Sequence, residues 1–141
     1  MYEKISKIKI GSYNIPIRCD INVLGSIQDE FGTLLNFEQK LIGLKMKPDG
    51  TYTNTEPSIK AIAYALPLFV LEGIEQAQAQ GEDYSDIDWK TPLKDCDFQY
   101  IETALAMYEE FQRCFHRKKK TLKSTNPRKK ATKTQSTSEE S

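Results

Sequence analysis

Residues 58–80, SIKAIAYALPLFVLEGIEQAQAQ, are the most informative part of the sequence. Ser58 is a residue type that caps helix N-termini, and apolar side chains recur at helical spacing after it, which predicts a helix over 59–80. No charged residue occurs between 61 and 71, so this part of the helix is apolar on all sides and both sides must be buried. Pro67 is expected to kink the helix, because proline has no N–H to donate and its ring crowds the preceding turn.

An apolar helix of this kind has two interpretations. In the first, it is the central helix of an ordinary hydrophobic core and is covered by neighbouring elements of its own domain. In the second, one side is left for a partner protein or for a second copy of the chain. The residues predicted to face such a partner are Tyr64, Leu68 and Leu71. The sequence leaves both interpretations open.

The N-terminal segment has the pattern of a β-hairpin. Residues 5–10 (ISKIKI) alternate between apolar and polar side chains, residues 11–14 (GSYN) supply turn chemistry, and residues 15–19 (IPIRC) resume the alternation. Pro16 indicates an edge position or a strand start, because it cannot donate to the strand ladder. A second, weaker hairpin is predicted around the turn residues 48–50 (PDG).

Further helices are predicted between and after these strands. Asp20 and Asn36 are candidate N-caps of two short helices, and Thr91 with Pro92 indicates the start of a third. The last helix is predicted over 97–117. Its expected apolar stripe consists of Ile101, Ala104, Leu105, Tyr108, Phe111 and Phe115.

Charge divides the chain into two parts. The whole chain holds 20 basic and 20 acidic residues, but nine of the basic and only two of the acidic ones lie in 117–141, so that segment carries +7 and residues 1–116 carry −7. Segment 117–141 contains a single large aliphatic residue, Leu122, so it can bury too little apolar surface to offset the conformational entropy that it would lose on folding. The predicted fold class is therefore α+β: a mostly helical single domain at 1–116 with an N-terminal β-hairpin, followed by a disordered basic C-terminal tail at 117–141.

No arrangement of residues indicates catalysis. His116 is the only histidine and lies two positions from Cys114, where side chains on a helix point in different directions. The three cysteines have no CxxC spacing, and there is no Gly-rich phosphate loop or HExxH motif. The acidic run at 82–88 lacks the glycine and the closing glutamate of a calcium loop. We therefore expect no catalytic, cofactor-binding or metal-binding residue and a protein that is not an enzyme.

Neither a membrane span nor a secretory signal is predicted. No apolar run approaches the roughly 20 residues that a spanning helix needs. The N-terminus alternates charged residues with isoleucine and lacks the apolar stretch of a signal peptide. An odd number of cysteines fits a reducing cytosol better than a disulfide framework.

The basic segment 117–141 has three interpretations. It neutralises nucleic-acid phosphates, it contacts an acidic partner or its own acidic domain, or it is simply a solvated tail. No aromatic residue lies between its lysines, so stacking on single-stranded bases is not supported. Nucleic acid is therefore not an expected partner.

Several segments together resemble a known family. They are IPIRCDINVL at 15–24, IQDEFG at 27–32, FE at 37–38, EPS at 56–58, ALPLF at 65–69 and EG at 72–73. In this combination the chain is similar to the tail assembly chaperones of long-tailed bacteriophages and of prophages in Gram-positive bacteria. The resemblance covers roughly residues 5–110.

The resemblance implies a binding function in the cytoplasm of a bacterial host. Such chaperones bind the long helical tape measure protein during tail morphogenesis, keep it soluble, help to recruit tail tube subunits and are absent from the mature virion. They are expected to coat the tape measure protein in several copies, so a homo-oligomer is implied. In many of these phages a programmed ribosomal frameshift adds a domain that contacts the tube protein. The lysine runs at 118–120 and 129–130 are compatible with A-rich slippery codons.

Two other functions are open at this stage. One is a different small phage structural protein, such as a head–tail connector component, which would be present in purified virions. The other is a nucleic-acid-binding accessory protein that acts through the basic tail. That function predicts binding that weakens steeply with salt and disappears when 117–141 is removed.

Overall fold

The computed structural model describes the backbone of residues 4–124 and the side chains of residues 4–115. The fold is α+β and mostly helical, with a β-hairpin at the N-terminus, as the sequence predicted. The elements in chain order are β1 (Ser6–Ile10), β2 (Tyr13–Ile17), α1 (Ile21–Phe31), α2 (Leu34–Ile42), β3 (Leu44–Met46), β4 (Tyr52–Asn54), α3 (Ile59–Ala79), α4 (Lys90–Lys94) and α5 (Tyr100–Ser124).

The chain divides into two compact units, Met1–Glu110 and Phe111–Ser141. The division after Glu110 and the predicted boundary after residue 116 both fall within α5. The backbone continues as helix to Ser124, which is inside the segment predicted to be a disordered tail. Residues 125–141, the rest of that segment, lie outside the described residues.

The N-terminal hairpin pairs β1 with β2 in antiparallel register, with Ile8 opposite Ile15 and Ile10 opposite Tyr13. Strand β1 alternates as predicted, with Ile8 and Ile10 buried, whereas in β2 Pro16 is buried together with Ile15 and Ile17. The turn is fastened to the segment before α5, where the Gly11 N–H donates to the Asp97 carbonyl at 2.7 Å. One face of the hairpin therefore belongs to the core.

Helix α3 lies directly against β2. The Arg18 N–H donates to the carbonyl of Phe69 at 2.9 Å. A Cβ atom at Gly73 would lie 2.6 Å from the Ile17 nitrogen and closer still to the Pro16 carbonyl, so the helix and the strand approach each other only because this residue has no side chain. The largest fully buried side chains of the unit Met1–Glu110 include Ile15, Ile17, Ile27, Phe37, Leu41, Ile62, Leu66, Phe69 and Val70.

Local sequence signals explain where the helices begin. The Asp20 carboxylate accepts the Val23 N–H at 2.9 Å and caps α1, and the Ser58 hydroxyl accepts the Ala61 N–H at 3.1 Å and caps α3, as predicted. The N-cap of α2 is Thr33, whose hydroxyl accepts the Asn36 N–H at 3.0 Å. The prediction that Asn36 caps this helix is therefore wrong.

The second hairpin, β3 and β4, forms around the predicted turn. The Asp49 carboxylate accepts both the N–H and the hydroxyl of Thr51, at 3.0 and 2.7 Å, and Gly50 has a φ of 88°. These hydrogen bonds hold the pKa of Asp49 below its usual value.

Among the described residues, no helix is long and apolar enough to cross a bilayer.

The first part of α5 buries only part of the predicted stripe: Ala104 is buried as predicted, and Tyr108 is half-buried. Within the unit Met1–Glu110, the side chains of Thr103, Ala104, Met107 and Glu110 are buried, whereas Ile101 and Leu105 are about half exposed. The Glu110 carboxylate accepts the Cys19 N–H at 2.7 Å, which satisfies a backbone donor after β2. A hydrogen-bonded glutamate thus occupies a position that an apolar pattern does not reveal.

Candidate docking groove

An open groove of about 650 Å³ runs along the outer side of α3, facing the segment around α4. Its lining is almost entirely apolar and includes Ile59, Ile62, Ala63, Pro67, Leu71, Trp89, Lys90, Leu93, Lys94, Cys96 and Phe98. All of these residues belong to the unit Met1–Glu110. The groove is in the size range of sites that bury a ligand or a set of partner side chains.

The floor of the groove is one side of α3. Ile59, Ala63, Pro67 and Leu71 follow each other at intervals of four, which places them along one side of the helix. Ile59 is 59% exposed and Leu71 is 52% exposed, although Ala65 and Phe69 on the other side of the helix are fully buried. The helix is therefore apolar on both sides, but only one side is covered by the domain.

Pro67 lies in the middle of this floor. Proline has no N–H, so the carbonyl of Ala63, four residues earlier, does not receive the usual helical hydrogen bond from position 67. Both residues line the groove. The hydrogen-bond ladder of α3 is therefore interrupted beside the groove.

The opposite wall is built by a short segment whose start is fixed by Asp88. Its carboxylate accepts the N–H groups of Lys90 and Thr91 at 3.2 and 3.1 Å, and hydrogen bonds from Thr91 hold the pKa of Asp88 below its usual value. Trp89 follows and is buried, whereas Thr91 was predicted to cap this helix and does not. Leu93 and Phe98 complete the apolar wall.

Two lysines lie at the rim of this wall. Lys90 and Lys94 are both exposed and are four residues apart on α4, so they project from one side of it. The Lys90 ammonium lies 5.7 Å from the centroid of the Trp89 ring, a cation–π distance. The groove therefore has apolar walls and one basic edge.

The three residues predicted to face a partner lie in different environments. Leu71 lines the groove. Tyr64 is half-buried, its hydroxyl donates to the Ser26 carbonyl at 3.1 Å, and its ring meets Phe31 edge-on with centroids 5.8 Å apart. Leu68 is half-buried and is not part of the groove lining. The groove lining thus includes Leu71, while Tyr64 contacts α1.

Most of the groove lining was missed by sequence reasoning. The four-residue spacing of Ile59, Ala63, Pro67 and Leu71 is visible in the sequence, but of these four only Leu71 was predicted to face a partner. Trp89, Leu93 and Phe98 are brought to α3 by the tertiary fold, and no local pattern indicates their position.

The carboxyl group of Glu72 lies beside that of Asp20, which caps α1. Burial raises the pKa of Glu72, and a hydrogen bond with Asp20 raises it further. Within the part of the chain whose side chains are described, no group of three or more His, Cys, Asp or Glu residues is arranged to hold a metal ion.

No protein-family model, no curated protein and no solved structure matches this chain.

Proposed function

We propose that this protein is a phage tail assembly chaperone that binds the tape measure protein in the groove beside α3. The observation that carries the proposal is the open apolar groove, whose floor leaves Ile59 and Leu71 more than half exposed. A small domain gains stability by covering such side chains, and uncovered apolar grooves are typical of sites that receive another protein. The family resemblance of residues 5–110 supplies the identity of the partner.

The shape of the groove suits an amphipathic helix. From Ile59 to Leu71 the floor follows about three turns of α3, roughly 18 Å. A partner helix of similar length presents apolar residues at i, i+3, i+4 and i+7, which is the pattern that helix-in-groove recognition uses. A tape measure protein exposes long apolar helix faces before the tail tube encloses it, so it needs such a holder.

The wider role follows from the same binding event. The chaperone acts stoichiometrically in the bacterial host cytoplasm, in several copies along one tape measure protein, and is not part of the finished virion. Recruitment of tail tube protein is proposed to use a longer product made by ribosomal frameshifting near the lysine codons of 118–120 or 129–130. The gene sequence tests this step, because it requires a slippery heptamer and an overlapping downstream reading frame.

The experiment for the main proposal is co-expression with the neighbouring tape measure gene. The wild-type chain is expected to increase the soluble fraction of the tape measure protein severalfold. Leu71→Glu should abolish the increase, since it places a charge in the apolar groove. Leu35→Glu is the matched control, because Leu35 is 58% exposed on α2 and does not line the groove.

Three outcomes contradict the proposal. Equal solubility of the tape measure protein with and without this chain excludes the chaperone function. Equal effects of Leu71→Glu and Leu35→Glu exclude the groove as its binding site. Detection of this chain in purified virions favours a structural protein such as a head–tail connector component instead.

A further inference from the structure

We infer that the groove selects an amphipathic helix whose apolar stripe is bordered, on one edge only, by acidic side chains that pair with Lys90 and Lys94. The inference rests on the proposed function and adds the chemistry and orientation of the bound segment. It starts from the asymmetry of the groove, which has a basic rim on the α4 side.

The two lysines are available for an incoming partner. Neither forms a salt bridge within the described residues, where the salt bridge is between Lys7 and Glu82. The charge of Lys90 does contribute to lowering the pKa of Asp88 at the start of the same segment, after the hydrogen bonds from Thr91. Lys90 lies over the Trp89 ring, so its ammonium is held at the groove wall instead of extending into solvent. A carboxylate that docks there meets a positioned charge beside an apolar surface that excludes water, where an ion pair contributes more than on an open surface.

The spacing of the lysines determines the spacing of the matching acids. Residues four apart on a helix lie about 6 Å from each other on one side. A helix docked alongside α4 therefore matches Lys90 and Lys94 with two acidic residues that are three or four positions apart. Acidic residues on the other edge of the same helix would face no lysine of α4, so the charge pattern also favours one direction of the bound helix.

Charge also argues against the chain's own C-terminal segment as the occupant. Residues 117–141 carry +7 and contain one large aliphatic residue, Leu122. Such a segment would bring positive charge to a basic rim and has little apolar surface to bury in the groove. An amphipathic helix from another protein with an acidic edge can bury its apolar side chains against the groove walls and pair its acidic side chains with the basic rim.

The test uses three synthetic helical peptides of about 18 residues that share one apolar stripe and differ only at two edge positions, which are Glu, Gln or Lys. Trp89 is the only tryptophan of the chain and lines the groove, so its fluorescence reports occupancy directly. The Glu peptide is expected to bind the full-length protein about tenfold more tightly than the Lys peptide at low salt. Its advantage should shrink as salt is raised.

Charge reversal of the rim is the decisive variant. Lys90→Glu/Lys94→Glu should reverse the order of the peptides, and Lys45→Glu/Lys47→Glu is the matched control, since these two lysines are exposed and lie outside the groove lining. Circular dichroism melting of both variants verifies that the fold is retained.

The outcomes separate this inference from the proposed function. Equal binding of the three peptides, or an unchanged order after charge reversal, overturns the charge selection but leaves co-expression to decide the chaperone function. Binding of none of the peptides also overturns the inference. A concentration-dependent change in Trp89 fluorescence and sedimentation without peptide identifies a second copy of the chain as the occupant and overturns it too.

Discussion

Gly73 is the single residue on which the approach of α3 to β2 depends. A methyl group at this position would overlap the backbone of Pro16 and Ile17, and backbone cannot move aside as a flexible side chain does. The same position lies in the EG pair at 72–73 that contributes to the family resemblance. A small-residue requirement of this kind is a packing constraint, and it does not itself indicate a binding function.

Gly73→Ala is therefore expected to destabilise the protein by about 1–3 kcal/mol, even though alanine is the better helix former. Gly25→Ala in α1 is the matched control, because a Cβ there meets nothing within 4 Å. It should stabilise the protein by about 0.5–1 kcal/mol. Urea unfolding followed by circular dichroism measures both changes, and similar effects of the two substitutions would contradict the close approach at Gly73.

At the level of single elements, local chemistry predicted helix starts better than helix faces. Asp20 and Ser58 were identified as caps because their side chains bond to backbone groups three residues on, which depends only on local sequence. Thr33 and Asn36 both have capping chemistry, and the choice between them depends on where the chain turns after Gly32. The hairpins were found for the same local reason.

Helix faces depend on which neighbours are present, and there the sequence was less informative. In α5, Ile101 and Leu105 fit an apolar stripe but are exposed, because Thr103 and Met107 face the core instead. In α3, apolar residues surround the helix, so no periodicity separates the covered side from the groove. The apolar surplus of α3 was predictable, while the groove wall supplied by Trp89 was not.

The difference between the predicted and the buried side of α5 leads to a prediction for a pair of substitutions. Met107→Glu should destabilise the protein by more than about 3 kcal/mol, since it buries an unpaired carboxylate, whereas Leu105→Glu should change stability by less than about 0.5 kcal/mol. Thermal unfolding of the two variants makes the comparison. A large loss of stability for Leu105→Glu with a small loss for Met107→Glu would contradict the burial described for α5 and would support the apolar stripe that the sequence predicted.

In the molecule as a whole, opposite charges are separated along the chain. Residues 1–116 carry −7 and residues 117–141 carry +7, so the neutral total conceals an acidic domain joined to a basic segment. The lysine pair Lys90 and Lys94 at the groove rim is a local exception to the sign of the acidic domain.

The position of the groove predicts that the proposed chaperone activity survives the loss of the C-terminal residues. Truncation after Ser124 leaves α5 and every residue that lines the groove in place and removes Arg128, Lys129, Lys130 and Lys133. The truncated chain should keep the tape measure protein soluble to within about twofold of the full chain, because the binding energy is expected to come mainly from apolar burial. Co-expression with fractionation measures this, with Leu71→Glu in the truncated chain as the negative control. If solubility falls to the level of that control, the basic segment takes part in holding the partner, and the groove alone does not account for binding.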